Sequence, residues 1–422
     1  MRLPALIAVP VHMLVVWLTF LAGLWITRGF AGGIAAMCLA IAAAWLLWRR
    51  SVRGAARRRA IVHGAFMALA LAPLAYVLVP LAPSSLTPLS ADASAESWPT
   101  GPGRAVAVYR YPADPARARH TALVFVHGGP GAYVRDIDRA FFASFAQAGF
   151  DVVLYDQAGA GRSPLLNPAH YTHDDNVRDL AAVLARVNMP TVLVAQSYGA
   201  TLVTSALAHA DVRQRVRHLI LTEPGRIPGA AFSSDQAMSD KTTHAPDATL
   251  APTAAVMARL MAPRALLAAS LPAGNALASQ EEIVSHYTPD VQRLLVSNAF
   301  CKGDTALLDS FHPGRFNLIA NVRVSRDATK AATPDLRGMA APVMLLLGEC
   351  SYIPRGRAME YFGVYTPVRA HLIPGVGHIV WGNARGQALV RNAIVRFVDG
   401  APGVLPNEPT KASAQRFVAD GR

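Results

Sequence analysis

The chain contains one serine in a setting that suits a nucleophile. Residues 191–194 form an apolar, β-rich run of the kind found in central parallel strands, and a helical pattern follows over residues 200–210. Between them stands Ala-Gln-Ser-Tyr-Gly at 195–199, a small-x-Ser-x-Gly pattern. Small neighbours let the strand and the helix approach each other while the serine projects from a sharp turn, the nucleophile elbow. The pattern predicts that Ser197 is an exposed nucleophile, although Ala195 stands where this pattern usually has glycine.

A serine hydroxyl attacks a carbonyl at neutral pH only when a neighbouring base takes its proton. The turn Gly-Val-Gly-His at 375–378 follows the last predicted strand, so His378 should lie at the same edge of the sheet as Ser197. A histidine in a tight glycine turn can also be purely structural. Because the elbow is present, we interpret His378 as the catalytic base.

The tetrahedral intermediate of acyl transfer needs amide donors aimed at its oxygen. The stretch His-Gly-Gly-Pro-Gly at 127–131 follows a β-branched run, and its glycines expose bare backbone. We therefore expect the amides of Gly129 and Tyr198 to form an oxyanion hole. His127 is expected to support this loop by hydrogen bonding and to take no part in proton transfer.

These stretches lie within an alternation of strands and helices. Strands are predicted at 104–111, 121–126, 152–155, 191–194, 216–222, 343–347 and 370–373, and helices at 137–148, 174–187, 200–210, 354–362 and 384–398. Such alternation predicts a mostly parallel sheet with helices on both faces. Helical stretches punctuated by proline replace it at 226–335, which we interpret as an inserted cap. The core then consists of residues 104–225 and 336–398, followed by a flexible tail at 399–422.

Three of these motifs, in this order and spacing, resemble the α/β-hydrolase family over about residues 104–398. They are the glycine stretch at 127–131, Asp-Gln-Ala-Gly-Ala-Gly-Arg-Ser at 156–163 and the elbow at 195–199, with the turn at 375–378 as a fourth. Within that family the chain is similar to the proline iminopeptidases and related peptidases. The resemblance implies an α/β-hydrolase fold and acyl-enzyme chemistry at Ser197 and His378. The stretch 156–163 is expected to be a structural turn.

The third member of a triad is where the chain departs from this family. Relatives carry Gly-x-x-Asp after the strand before the last, whereas residues 348–351 read Gly-Glu-Cys-Ser. Glu223 ends the strand after the elbow helix. Some α/β-hydrolases, such as the haloalkane dehalogenases, resemble this arrangement in having their acid at that position. Glu349 lies two residues before the vacated position. Either carboxylate could hold the histidine tautomer. We favour Glu223, with Glu349 as the alternative acid.

No cofactor or metal is expected. The G-x-G-x-x-G fingerprint does not occur between a strand and a helix, and the histidines have no metal-ligand spacing. The net charge of +13 does not indicate nucleic acid, because eight of the 40 Lys and Arg residues lie before residue 91, where no Asp or Glu occurs. The remainder has 32 basic and 27 acidic residues and no nucleic-acid-binding motif. The oligomeric state is left open.

The apolar composition, 52% hydrophobic residues, is concentrated at the front of the chain. Three uncharged or nearly uncharged runs approach the roughly 20 residues that a membrane-spanning helix needs, at 3–26, 30–48 and 60–82. They predict a segment at 1–82 with three transmembrane helices, then a linker at 83–103. Six arginines at 49–59 predict a cytoplasmic loop. The catalytic domain would then be extracytoplasmic, periplasmic in a bacterium, with membrane lipid as a partner.

Cys301 and Cys350 are expected as two free thiols, and a disulfide in an oxidising compartment is left open. The resemblance to the proline iminopeptidases implies acidic groups near the cap that hold a substrate amine, and the candidates by composition are Glu281, Glu282, Asp290 and Asp304.

The expected function is that of a membrane-anchored serine hydrolase acting on a small-molecule or peptide substrate. An aminopeptidase-like amidase is favoured, and an esterase or lipase is the alternative. A non-catalytic ligand-binding scaffold is a further alternative, because fold does not entail function and a missing aspartate is typical of a decayed triad.

Overall fold

The computed structural model describes residues 14–23, 26, 34–43, 80–81, 95–229, 254–270, 277–301, 314–353, 356–366, 368–403 and 405. The chain divides into two compact units. One consists of Met1–Pro83 and Met261–His286, and the other of Ser84–Leu260 and Tyr287–Arg422. The residues Ser197, His378, Glu223, Glu349, Gly129 and Tyr198 all belong to the second unit.

A single eight-stranded sheet forms the centre of the second unit, in the order β1-β2-β4-β3-β5-β6-β7-β8. The first two strands pair antiparallel, β2 pairs antiparallel with β4, and all further pairs are parallel. The strands are β1 Ala95–Gly101, β2 Arg104–Tyr111, β3 Ala122–Val126, β4 Asp151–Asp156, β5 Thr191–Gln196, β6 Val216–Thr222, β7 Val343–Gly348 and β8 Val368–Ile373. Every residue of β3, β5 and β7 is buried, as expected for strands covered on both faces.

Helices occupy the segments between the strands. Two N-terminal helical segments are α1 at 14–23 and α2 at 34–43. The others are α3 Asp136–Ala143, α4 His173–Val187, α5 Tyr198–Ala206, α6 Ala210–Arg213, α7 Ala254–Leu260, α8 Pro263–Ser270, α9 Gln280–Ala299, α10 Leu318–Ala328, α11 Gly356–Val364 and α12 Ala384–Val398. Helices α7 to α10 fall within the predicted cap, and the described residues of that stretch contain no strand.

Parallel pairing brings the predicted chemistry to one edge of the sheet. Because strands β3 to β8 run in the same direction, their carboxyl ends and the loops that follow them meet at that edge. These loops carry the glycine stretch 127–131, the elbow, Glu223, residues 349–351 and His378. A buried aromatic cluster lies against the sheet, in which the Trp381 ring stacks on Phe141 at 5.4 Å and meets Phe125 edge-on at 5.5 Å.

Strand β1 lies inside the stretch that the sequence predicted to be a linker. It pairs with residues 104–109 of β2, with Trp98 opposite Val106. Trp98 is the one residue of β1 that is buried. An edge strand with a single buried residue has no alternation of apolar and polar residues, so its Pro-, Ser- and Ala-containing sequence resembled that of a linker.

The structure contradicts the prediction of a multi-pass membrane protein with an extracytoplasmic domain. None of the helices in the described part of the chain is long and apolar enough to cross a bilayer. The described parts of the first two apolar runs are the short helices α1 and α2, which pack on each other through Val16, Phe20 and Met37. The third run, 60–82, lies outside the described residues apart from Pro80 and Leu81. The prediction rested on the length and composition of the apolar runs, whereas the described helical segments at 14–23 and 34–43 are each shorter than a membrane-spanning helix.

The expectation of two free thiols is also wrong, because Cys301 and Cys350 form a disulfide. The bond joins the residue that follows Phe300, just beyond α9, to the loop after β7. The two cysteines are 49 residues apart in sequence, and the fold brings their Cα atoms to 5.2 Å. Proximity of this kind depends on the packing of α9 against the end of the sheet and has no signature in the local sequence.

Candidate active site

Ser197 occupies a strained turn between β5 and α5. Its φ of 52° and ψ of −122° place a non-glycine residue in a sparsely populated region of backbone space. Hydrogen bonds on both sides hold this conformation: the Ser197 amide donates to the carbonyl of Thr222 at 3.0 Å, and the Gly225 amide donates to the Ser197 carbonyl at 2.9 Å. The end of β6 therefore fixes the serine on a sharp corner, as a nucleophile requires.

Glycines allow the neighbouring backbone to approach this corner. A Cβ on Gly199 would overlap the carbonyl oxygen of Val126, at the end of β3. A Cβ on Gly128 would lie 2.8 Å from the Ser197 Cβ and 3.4 Å from its Oγ. The loop of residues 127–131, called the oxyanion loop below, thus passes directly beside the serine.

The two predicted oxyanion donors belong to the elements that meet at Ser197. Tyr198 is the first residue of α5, so its amide is one of those that have no partner inside the helix. Gly129 follows Gly128 in the oxyanion loop and has φ of 127°, which favours glycine. The hydrogen bond from Asn321 Nδ2 to the carbonyl of Pro130, at 2.7 Å, anchors this loop to α10.

His127 supports the oxyanion loop in its neutral form. Its Nδ1 lies 2.7 Å from the carbonyl oxygen of Gly128, to which it donates, and its Nε2 accepts from the Gln157 amide at 2.9 Å. Burial lowers the pKa of His127 to about 4. Both ring nitrogens are occupied by the backbone, so His127 is not available as a base.

The turn after β4 is organised by a buried carboxyl group. Asp156 accepts hydrogen bonds from the amides of Val134 and Arg162 and from the Tyr109 hydroxyl, at 2.7, 2.8 and 3.0 Å. Burial raises the pKa of Asp156 to about 6. Asn317 ties the same turn to α10 by donating to the carbonyl of Gly159 at 2.9 Å. These contacts give residues 156–163 a structural part, as the sequence predicted.

His378 and Glu223 lie side by side at the edge of the sheet. The Nδ1 atom of His378 is 3.6 Å from Oε2 of Glu223. Both residues are buried, and Nδ1 has no hydrogen-bond partner among the residues that the structure describes. The separation is slightly longer than a hydrogen bond, and such contacts often tighten only when substrate binds.

Two donors, one at the end of β7 and one in the loop that follows it, hold the Glu223 carboxylate. The Gly348 amide donates to Oε1, and the Ser351 hydroxyl donates to Oε2. Ser351, at the position where the family resemblance predicted an aspartate, therefore contacts the Glu223 carboxylate. Like Ser197, Glu223 has a positive φ, 46°. The other candidate, Glu349, accepts from the Gly375 amide at 2.8 Å and thereby holds the turn that precedes His378.

Two further residues at this site were not singled out by sequence. The Tyr352 ring lies 4.5 Å from the His378 ring, and the tyrosine is 38% exposed, so it forms part of the accessible rim. Gln196, directly before Ser197, donates from Nε2 to the carbonyl of His378 at 3.1 Å. Tyr352 has no motif around it, and Gln196 occupies a variable position of the elbow motif at 195–199. Only their sequence positions, beside Ser351 and Ser197, could have pointed to them.

The acidic candidates of the predicted cap are placed as follows. Glu282 forms an ion pair with Arg264, with 2.7 Å between Oε1 and Nε, and the same oxygen accepts from the Leu81 amide. Glu281 is exposed in the first turn of α9. The side chain of Asp290 and the whole of Asp304 lie outside the described part of the chain. In the described part, no group of His, Cys, Asp and Glu side chains is arranged to hold a metal ion.

Comparison with known proteins gave the following similarities. Residues 121–251 match the model of the alpha/beta hydrolase fold family. A thermophilic esterase from Thermogutta terrifontis is similar at 16% identity and a TM-score of 0.49, over 72% of this chain and 99% of that chain. The proline iminopeptidase-related protein from Thermus thermophilus has 18% identity and a TM-score of 0.47, over 72% and 97% of the two chains. For the proline iminopeptidase from Mycobacterium smegmatis these values are 18%, 0.44, 73% and 98%.

No curated protein matches the sequence. The family match and the observed sheet order together establish an α/β-hydrolase fold with a mostly parallel sheet. The predicted α/β-hydrolase fold with a mostly parallel sheet is thereby confirmed, whereas the transmembrane helices are not supported and the inserted helical cap stays a prediction.

Proposed function

We propose that this protein is a serine hydrolase that works through an acyl-enzyme at Ser197. The observation that carries the proposal is the strained elbow, with φ of 52° at Ser197, pressed against the glycine backbone of the oxyanion loop. A non-catalytic scaffold would have no need to keep a serine in this conformation. The proximity of a histidine and a buried carboxylate at the same edge of the sheet supports the proposal.

In this mechanism, the Ser197 Oγ attacks the carbonyl carbon of the substrate as His378 Nε2 takes the hydroxyl proton. The developing negative charge on the carbonyl oxygen is bound by the amides of Gly129 and Tyr198. The tetrahedral intermediate collapses, and His378 returns the proton to the leaving group. Water then attacks the acyl carbonyl carbon while His378 takes one of its protons, and collapse of the second tetrahedral intermediate releases the acid and returns that proton to the Ser197 Oγ.

Glu223 is the proposed acid. A carboxylate beside Nδ1 keeps the proton on that nitrogen, leaves Nε2 free to act as base, and stabilises the imidazolium that forms. The contact of 3.6 Å between Glu223 Oε2 and His378 Nδ1 supports this assignment. Glu349 is the less favoured alternative because its carboxylate accepts from the Gly375 amide.

The proposed substrate is an aminoacyl amide or short peptide cleaved at its N-terminus. This proposal rests on the similarity of the stretches 127–131 and 156–163 to those of the proline iminopeptidases. An acyl ester is a second candidate, and one observation favours it. Glu282, a candidate partner for a substrate amine, is already paired with Arg264.

The test exposes purified protein to a fluorophosphonate probe beside the Ser197→Ala variant and locates the adduct by peptide mass. We expect labelling at Ser197 that disappears in the variant. Folded wild-type protein that does not react would make the ligand-binding scaffold the leading account. Labelled enzyme would next be assayed with alanyl and prolyl p-nitroanilides and with p-nitrophenyl acetate. An N-acetylated alanyl p-nitroanilide is the control, because an aminopeptidase requires the free amine.

A further inference from the structure

A buried network of polar side chains links Gln196, the residue before Ser197, to the backbone of His378. Gln196 Nε2 donates to the carbonyl of His378 at 3.1 Å, and Gln196 Oε1 accepts from Arg135 Nη2 at 3.0 Å. A carbonyl only accepts and a guanidinium only donates, so these two partners fix which way the amide points. Gln196 is 3% exposed.

Arg135 is in turn held rigidly by Asp138, at the start of α3. The guanidinium donates from Nε and Nη2 to the two carboxylate oxygens, at 2.7 and 2.8 Å. The carboxylate also accepts from the Arg135 amide at 2.9 Å and from Trp381 Nε1 at 2.9 Å. Asp138 is fully buried, and its carboxylate accepts hydrogen bonds from these four protein donor groups. A fully satisfied buried network of this kind is rigid.

The last member of this side-chain network, Trp381, belongs to the same segment as His378. Trp381 lies three residues after His378, and its ring is packed in the aromatic cluster with Phe125 and Phe141. The segment that carries the base is thus held at two points, the carbonyl of residue 378 and the indole of residue 381. At residue 378 the anchoring side chain is that of Gln196, which is covalently joined to Ser197.

We propose that Gln196 is a positioning residue that sets the separation between Ser197 and His378, with Arg135 and Asp138 as its rigid support. This inference rests on the proposed function, in which His378 takes the proton of Ser197. Catalytic groups must be held to within about 0.5 Å of their productive geometry. The side chain of Gln196 provides such a link, because it lies next to the nucleophile in sequence and contacts the base directly.

Two substitutions separate this role from a structural one. Gln196→Met removes both hydrogen bonds at similar volume. Gln196→Glu keeps an acceptor for Arg135 but places a second oxygen against the His378 carbonyl, where no donor remains. If Gln196 only satisfied Arg135, the Glu variant would behave like the wild type. If Gln196 positions His378, both variants lose the hydrogen bond to the His378 carbonyl and should react more slowly.

The measurement is the second-order rate constant of fluorophosphonate labelling at Ser197, with kcat and KM for p-nitrophenyl acetate. We expect both variants to lose about tenfold in labelling rate and in kcat, the equivalent of one hydrogen bond, with KM unchanged. Thr204→Val is the matched control. It removes a buried hydroxyl that contacts Ala200 and Tyr365, away from the base, and should lower the unfolding midpoint while labelling stays within about twofold of wild type.

A labelling rate for Gln196→Glu equal to that of the wild type would overturn the inference. Failure of the proposed function gives a different result, because the wild-type protein itself would then not react. Unfolding midpoints in urea, measured on every variant, identify any loss of rate that comes from unfolded protein. The Glu variant retains the partner of Arg135 and the packing volume, so it tests the inference even if the Met variant is unstable.

Discussion

Replacing Glu223 by glutamine tests the assignment of the acid with little disturbance of the fold. The glutamine oxygen still accepts from the Gly348 amide, and its NH₂ group can donate to the Ser351 hydroxyl oxygen. The same NH₂ group then faces His378 Nδ1 where an acceptor was. A donor at this place favours the tautomer with its proton on Nε2, which cannot take the proton of the nucleophile. Glu223→Gln therefore removes both the charge and the correct tautomer.

The size of the effect follows from the distance. Unit charges 3.6 Å apart, as Glu223 Oε2 and His378 Nδ1 are, attract by about 4.5 kcal/mol at an effective dielectric constant near 20. That energy corresponds to about three powers of ten in rate. The hydroxyl of Ser351 and the amide of Gly348 already stabilise part of the negative charge, so the loss should be smaller. We expect kcat to fall by about a hundredfold to a thousandfold.

The assay compares Glu223→Gln with Glu349→Gln, which is matched in chemistry. In the control, the glutamine oxygen still accepts from the Gly375 amide, so activity should stay within about threefold of wild type. Steady-state rates with p-nitrophenyl acetate and fluorophosphonate labelling are measured together, and circular dichroism checks the fold. Near-normal turnover in Glu223→Gln together with a large loss in Glu349→Gln would refute the reasoning and assign the acid to Glu349.

Two further perturbations address the backbone and the pH dependence. Gly128→Ala places a Cβ 2.8 Å from the Cβ of Ser197 and should reduce labelling at that serine at least about tenfold, whereas Gly363→Ala, in open space on α11, should leave labelling unchanged. The contribution of His127 to stability should fall as pH drops from about 6.5 towards 4, because unfolded His127 takes up a proton that the folded residue, with its pKa lowered to about 4, does not. Urea unfolding of wild type and His127→Gln at pH 7, 5.5 and 4.5 checks this.

A specific result would contradict each of these two predictions. If Gly128→Ala reacts as fast as the wild type, the oxyanion loop does not lie beside the reacting serine. If the stability of His127→Gln depends on pH as steeply as that of the wild type, His127 is not the group responsible. Asp156 acts in the other direction, since its pKa is raised to about 6 and its protonated form favours the fold. Asp156 is present in both proteins, so comparing the wild type with His127→Gln separates the contribution of His127 to stability from that of Asp156.

The fold class could be predicted from sequence because its signals are local. Alternating apolar strands and amphipathic helices have distinct periods, and the predicted bounds of β2, β6 and α12 agree with those observed. Short motifs at the ends of parallel strands predicted which residue types would meet at one edge of the sheet. The prediction failed where the pattern was weak, at the edge strand β1, and where long apolar runs were interpreted as membrane spans.

The sequence by itself determined the alternation of strands and helices and the elbow, because each depends on neighbours in the chain. It left open which carboxylate lies beside His378, because that depends on how β6 and β7 pair. Glu223 and Ser351 are 128 residues apart, and the register of Thr222 opposite Leu346 brings them together. The disulfide and the link from Gln196 to His378, 182 residues apart, have the same origin. Only the tertiary structure decided these contacts, since they arise from packing between segments whose sequences carry no mark of each other.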